Sequence, residues 1–169
     1  EGGALIINNS KFNDRAEIIR EKGTNRSLFI KGEVDKYTWC DIGSSYLPSE
    51  LISGFLLNQL KISYEITKER LMIWNNYHDL LENLEINGLI KRPKISMECI
   101  HNGHIYYILV DHKKRELIIE KLLEKRIQIV THYIPLHSSK AGSKYCKVSG
   151  SLTQTNIIAN SIIRLPIWI

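Results

Sequence analysis

Between Pro48 and Gly88 the sequence carries an apolar stripe at helical spacing: Leu51, Phe55, Leu60, Leu71, Trp74, Tyr77, Leu81 and Leu84. Pro48 suits a first helical turn, Ser49 or Ser45 suits the cap, and Gly88 stops the run. One helix over 51–88 would be roughly 50 Å long at about 1.5 Å per residue. That exceeds the diameter of a small domain. The helix is therefore expected to connect two parts of the chain, 1–50 on one side and 89–169 on the other.

Before it, Ala4-Leu5-Ile6-Ile7 reads as a short buried strand turned by Asn8-Asn9-Ser10. Asn9 or Ser10 then caps a helix over about 11–22, with Phe12, Ala16 and Ile19 on one face and Gly23 ending it. Residues 23–50 keep no period, yet hold Phe29, Tyr37, Trp39 and Tyr46. Disordered segments are poor in aromatics, so this long irregular stretch reads as functional. After Pro93 the pattern predicts a strand over 104–110, a helix over 113–125, a strand over 127–133, an irregular segment over 134–151 and a helix over 153–163. This alternation is that of a small α/β domain.

Charge and cysteine usage narrow the partners. Net charge is +5, but Lys and Arg are interleaved with acids, as in Lys113-Lys114-Arg115-Glu116. That mixing describes a solvated helical face better than a nucleic-acid surface, and mild basicity suits a diphosphate-bearing small molecule. No run of about 18 apolar residues occurs, so no membrane-spanning helix is expected. Cys40, Cys99 and Cys146 are widely spaced and odd in number, which fits neither zinc nor a disulfide framework. They are expected to be buried, reduced thiols of a cytoplasmic protein. The first residues lack Met and the last, Ile167-Trp168-Ile169, are apolar, so the sequence is expected to be a piece of a longer chain.

No G-x-S-x-G, H-E-x-x-H, Walker loop or G-x-G-x-x-G is present. His101 and His104, and His132 and His137, have no Cys, Asp or Glu at ligand spacing, so no metal site is expected. Two segments gather chemistry instead. In Thr131–Gly142, His132, Tyr133 and His137 flank Pro135 at the end of an expected strand, a common ligand location; satisfied loop histidines explain the same pattern equally well. In 22–50, Lys22, Asn25 and Arg26 follow one helix, and Ser44, Ser45 and Tyr46 precede another. Hydroxyls at a helix start suit a phosphate; the plainer role for Ser44 and Ser45 is capping.

These segments carry a resemblance. Glu1-Gly2-Gly3-Ala4 is similar to the end of the G-[DE]-G-G motif of the DegT/DnrJ/EryC1/StrS family of sugar aminotransferases. Glu21–Ser27, Val34–Trp39 and Asp41–Leu47 resemble the branch that makes dTDP-4-amino-4,6-dideoxygalactose, and His132–His137 with Arg164-Leu165-Pro166 extend the likeness over essentially the whole chain. The resemblance implies the C-terminal part of a fold type I pyridoxal-phosphate enzyme, class α/β. Residues 1–50 would be the end of the large cofactor domain plus an active-site loop, 51–88 the interdomain helix, and 89–169 a small α/β domain incomplete at its end.

By that resemblance the whole enzyme is a cytoplasmic homodimer serving lipopolysaccharide or surface-polysaccharide sugar synthesis. It would pass an amino group from glutamate to the 4-keto carbon of dTDP-4-keto-6-deoxyglucose, without nucleic acid or membrane partners. The family's Schiff-base lysine would lie upstream of Glu1, leaving no catalytic residue here. Gly43 matches the glycine of the family's G-x-N-x-R phosphate motif, while Ser45 and Leu47 stand in for its asparagine and arginine. Ser45 and Tyr46 are the implied cofactor-binding residues. Asn25, Arg26, Tyr37, His132 and His137 are the implied substrate-binding residues, with Arg26 suited to the diphosphate. Another nucleotide-linked keto sugar, such as a 3-keto sugar, or a non-catalytic binding module remain the alternatives.

Overall fold

A computed structural model of the chain describes residues 2–169. It divides into two compact units, one ending at Ile62 and the other Ser63–Ile169.

The first unit contains a 3-10 turn, Ser10–Phe12, and helices α1 (Asn13–Arg20), α2 (Arg26–Ile30) and α3 (Glu50–Lys61). Asn9 accepts a hydrogen bond from the Lys11 N–H at 3.2 Å, which starts the turn. Residues 4–7 form no strand, and Leu5 and Ile6 are exposed: none of the described residues offers them a neighbouring edge. The expected strand there is corrected.

The irregular stretch after α1 is organised by two glycines. Gly23 has φ +76°, a left-handed conformation that disfavours side chains. Its N–H donates to the Ile18 carbonyl at 2.9 Å, and its carbonyl accepts from Cys40 and Asp41 at 2.7 and 3.0 Å. A Cβ on Gly23 would overlap the Asp41 carbonyl oxygen, and one on Gly43 would overlap the Gly23 nitrogen. The chain therefore passes itself too closely for any side chain. Residues 37–46 fold back along 20–25 through the antiparallel bridges Glu21–Ser45 and Thr24–Trp39.

The expected single helix over 51–88 is three helices. α3 ends at Lys61, α4 runs Ser63–Leu80 and α5 runs Glu82–Ile86. Ile62 (φ −107°, ψ 13°) is out of helical geometry, and no Gly or Pro marks the break. Ser49 caps α3, accepting from Ile52 N–H at 3.4 Å, so Pro48 precedes the cap rather than filling the first turn. Gly88 ends α5 as its position suggests: with φ +69° it lets the Leu89 N–H reach back to the Leu84 carbonyl at 2.9 Å.

The second unit is built on an antiparallel pair, β1 (Tyr106–Leu109) and β2 (Ile162–Leu165), registered Tyr106 to Leu165 and Leu109 to Ile162. Lys91 bridges to the outer edge of β1 and Val130 to that of β2. Between the strands lie α6 (Arg115–Glu124), a 3-10 turn Leu136–Ser138, α7 (Lys140–Tyr145) and α8 (Thr153–Ser161). Two expectations change here. The strand over 127–133 reduces to the Val130 bridge, and the helix over 153–163 stops at Ser161, because Ile162 and Ile163 are taken into β2. β-branched Ile suits a pleated, packed surface better than a helix.

The core comprises Trp74, Ile90, Tyr106, Ile108, Val110 and Ile163, with Tyr77, Leu81, Ile118 and Ile119 packed against it. Tyr106 lies 5.2 Å from Trp74 edge-on and 5.1 Å from Tyr77, ring centre to ring centre. Arg115 ties the start of α6 to β2 through the Ile162 carbonyl at 3.1 Å. The three cysteines are free but exposed, which corrects the expectation of burial. Cys40 and Cys99 lie in loops and Cys146 just past α7, all outside the elements that pack the core.

Ile163, fully buried in the middle of β2, has no room to be shortened without leaving a cavity. Ile163→Ala is expected to destabilise the second unit by about 2–5 kcal/mol, read as a lower midpoint in urea unfolding with an unchanged slope.

Candidate functional site

In the first unit the structure brings Asn25, Arg26 and Ser45 onto one folded-back ladder. Asn25 is locked to Thr38 twice: its side-chain oxygen accepts from the Thr38 N–H at 2.7 Å, and its own N–H donates to the Thr38 carbonyl at 3.2 Å. Arg26 donates to Glu21 at 2.8 Å, and that carboxylate also receives the Ser27 hydroxyl at 3.4 Å. Part of each side chain is thus committed to holding the loop. Tyr37 packs on Phe29 at 5.7 Å between ring centres and stays exposed.

Ser45 sits opposite Glu21 in the ladder, flanked by hydrogen bonds from Lys22 N–H to the Ser44 carbonyl and from Tyr46 N–H to the Arg20 carbonyl, each 3.1 Å. Ser45, Tyr46 and Lys22 are all exposed. Because α3 is capped by Ser49, Ser44 and Ser45 are not at a helix start. Any phosphate they bind would meet side-chain hydroxyls rather than the amides of the first helical turn.

In the second unit His132 lines a cavity of about 470 Å³ with Tyr133, Ile134, Pro135 and Leu136, closed on the other side by α8 residues Thr155, Ile158 and Ala159. The rings of His132 and Tyr133 meet edge-on at 5.7 Å. His137 is half-buried in the turn Leu136–Ser138, and its Nε2 lies 2.9 Å from the side-chain oxygen of Asn156 on α8. Sequence reasoning missed Asn156 and the whole α8 wall. The available signal was that α8 carries no charged residue at all.

A second cavity, of about 520 Å³, lies by Trp74, His78, Glu85, Arg92 and His101. Its polar groups largely satisfy one another. Arg92 N–H and Nε each donate to Glu85 at 2.8 Å, and the guanidinium also reaches the His78 carbonyl and Glu82. These bonds tie the segment after α5 to the end of α4. Among the described residues no group of His, Cys, Asp and Glu is arranged to hold a metal ion, and no helix is long and apolar enough to cross a membrane.

The profile of the DegT/DnrJ/EryC1/StrS aminotransferase family matches residues 1–169. The chain belongs to this family. Among its relatives, the UDP-4-amino-4,6-dideoxy-N-acetyl-beta-L-altrosamine transaminase of Helicobacter pylori is 26% identical over 144 residues, 81% of this chain and 35% of the relative. The UDP-4-amino-4-deoxy-L-arabinose–oxoglutarate aminotransferase of Shewanella sediminis is 24% identical over 180 residues, 99% of this chain and 46% of the relative. A DegT/DnrJ/EryC1/StrS aminotransferase from Brucella abortus superimposes with a TM-score of 0.78 at 22% identity, over 96% of this chain and 40% of that one. The NtdA protein of Bacillus subtilis, solved with bound cofactor PMP, gives 0.77 at 20% identity, over 95% and 36%. The fold is therefore that of part of a sugar aminotransferase, and the chain spans less than half the length of these relatives.

Arg92 holds the Glu85 carboxyl below its ordinary value of 4.5, chiefly through the backbone N–H bond and then the side-chain bond. A depressed folded value stabilises the fold above about pH 4.5 and the gain is lost as pH falls below that, through the folded value. Glu85→Gln should therefore lower stability at pH 7 and flatten its loss on acidification, as followed by thermal melts from pH 7 to 3; a melt series parallel to the parent's would contradict this.

Proposed function

We propose that the chain is the C-terminal part of a pyridoxal-phosphate-dependent aminotransferase that moves an amino group from glutamate to the 4-keto carbon of a nucleotide-linked sugar. The observation that carries this reading is the family match over residues 1–169, joined to a loop over 21–47 that folds into an ordered ladder with candidate side chains on it. The relatives' cofactor supports the same reading, since NtdA was solved with PMP.

Pyridoxal phosphate supplies the electron sink for amino transfer. The donor set fits its phosphate edge: Ser45 and Tyr46 present exposed hydroxyls, and Lys22 adds a positive charge across the same ladder. Leu47, where the family motif has arginine, adds none. Asn25, Arg26 and Tyr37 would serve the nucleotide diphosphate end of the substrate, and His132 and His137 the sugar. Arg26 keeps guanidinium N–H groups beyond the one given to Glu21, and these suit a diphosphate oxygen. No lysine here holds the motif place of the cofactor-bearing lysine, so these 169 residues alone should give no turnover.

The dTDP-4-keto-6-deoxyglucose reading rests on the 21–47 resemblance. The relatives' names favour a UDP-linked 4-keto sugar instead. A cytoplasmic setting agrees with three exposed, free thiols, which persist in reducing compartments. Homodimer formation agrees with the exposed apolar residues Leu51, Phe55 and Leu60 of α3. The isolated chain is accordingly expected to associate at micromolar concentration in sedimentation; a stable monomer would oppose that part of the reading.

The deciding experiment offers glutamate with dTDP-4-keto-6-deoxyglucose or a UDP-linked 4-keto sugar to the polypeptide that carries this segment, and measures 2-oxoglutarate. Release with the dTDP sugar supports the reading, faster release with the UDP sugar transfers it to that substrate, and none with any keto sugar ends it. In the same enzyme His137→Ala should lower sugar turnover roughly tenfold to a hundredfold. The half-reaction with glutamate should suffer less, as single-turnover measurement of each half would reveal.

A further inference from the structure

The His137 contact holds more information than the sequence motif. The partner atom is an amide oxygen, Oδ1 of Asn156, 2.9 Å from Nε2. An amide oxygen can only accept, so the imidazole nitrogen facing it must carry the proton. In a neutral imidazole the other nitrogen, Nδ1, is then a lone-pair acceptor.

Charged side chains are few on the elements that hold the pair. α8 runs Thr-Gln-Thr-Asn-Ile-Ile-Ala-Asn-Ser with no ionisable side chain. The cations on α7, against which the His137 turn packs, are Lys140 and Lys144, and both are exposed. Lys144 lies over the ring of its neighbour Tyr145. The residues beside the pair in sequence, Leu136 and Thr155, line the 470 Å³ cavity, whose other walls are aliphatic apart from the rings of His132 and Tyr133. A mainly apolar cavity that carries one imidazole and one phenol, and no Lys or Arg, suits an uncharged hydroxyl-bearing group better than a phosphate.

We propose that Asn156 is a positioning residue: its amide oxygen fixes His137 in the Nε2–H tautomer, and the freed Nδ1 accepts a hydrogen bond from a hydroxyl of the bound sugar. The second half rests on the reading that His137 serves the sugar; the first stands on the contact alone. The anionic end of the nucleotide sugar is then left to other groups, and Asn156 sets which end of the substrate His137 recognises.

Nitrogen-15 NMR of the His137 ring in the 169-residue chain tests the first half without any activity. The expected spectrum has Nε2 almost wholly protonated and Nδ1 unprotonated, and Asn156→Leu lowers the Nε2–H fraction to that of a free histidine ring while circular dichroism stays unchanged. A ring protonated at Nδ1, or one indifferent to the substitution, overturns the proposal. In the transaminase, Asn156→Leu should raise KM for the nucleotide sugar about tenfold with little change in the glutamate half-reaction. Asn156→Asp should lose sugar affinity at pH 7 and regain it at higher pH, because a carboxylate stabilises the doubly protonated ring, which has no acceptor. An unchanged sugar KM in both variants sinks the second half. Absence of amino transfer to any keto sugar would sink the aminotransferase reading instead, leaving the tautomer result standing.

Discussion

Tyr106 is the pivot of the second unit. Its ring is fully buried against Trp74 and Tyr77 of α4, and its backbone belongs to β1. Burial pushes its hydroxyl up to about 12, so at ordinary pH it remains a neutral body, able to fill the core without a charge to compensate. By fixing β1 on α4, it fixes β2 through the registered pair Tyr106–Leu165. β2 follows directly on α8, and the Ser161 carbonyl at that junction accepts from Val110 N–H at 2.9 Å. The packing of Tyr106 on α4 thus supports, through β1 and β2, the end of α8, the helix that carries Asn156. A site built from short loops gains its precision from such a chain of rigid supports.

The first unit solves the same problem without a core. Gly23 and Gly43 pass so close that a Cβ on either would strike backbone. The gain is a dense set of main-chain hydrogen bonds from residues 37–46 to 18–25. Asn25 and Arg26 contribute to that set through Thr38 and Glu21. Side chains that hold a loop and also meet a ligand need no separate ordering on binding, which lowers the entropy cost of recognition.

Much of this was legible in the sequence, and the failures have physical causes. The resemblance over 1–169 and the aminotransferase class of fold were readable because motif residues keep their spacing whatever the packing does. Gly88 ended its helix as expected, since it needs positive φ, whereas α1 stopped at Arg20 and Lys22, with φ 65°, is left-handed before Gly23 is reached. The break at Ile62 was hard to read because no Gly or Pro marks it; its trace is that the apolar stripe skips from Leu60 to Leu71. Ile162 and Ile163 continued a helical pattern, yet went to β2, where a buried partner strand awaited them. Thr131–Gly142 announced itself by composition, while its partner Asn156 did not. Nothing in the sequence of α8 separates Asn156 from Asn160, and only the fold brings Asn156 to His137.

The two groups of candidate residues also differ in kind, and that difference bears on what each can bind. Around the ladder, Lys22, Arg26 and the hydroxyls of Ser45 and Tyr46 make an exposed, charged surface, with the largely buried Glu21 paired to Arg26. Charge-assisted hydrogen bonds formed there suit phosphate oxygens, and Glu21 keeps the local charge from accumulating. Around the cavity of the second unit the walls are Ile, Leu, Pro, Ala and two rings, and the helix closing it has no charge. A phosphate would lose its hydration there with no Lys or Arg to replace it, whereas a sugar ring offers apolar faces to the aliphatic walls and hydroxyls to the two rings.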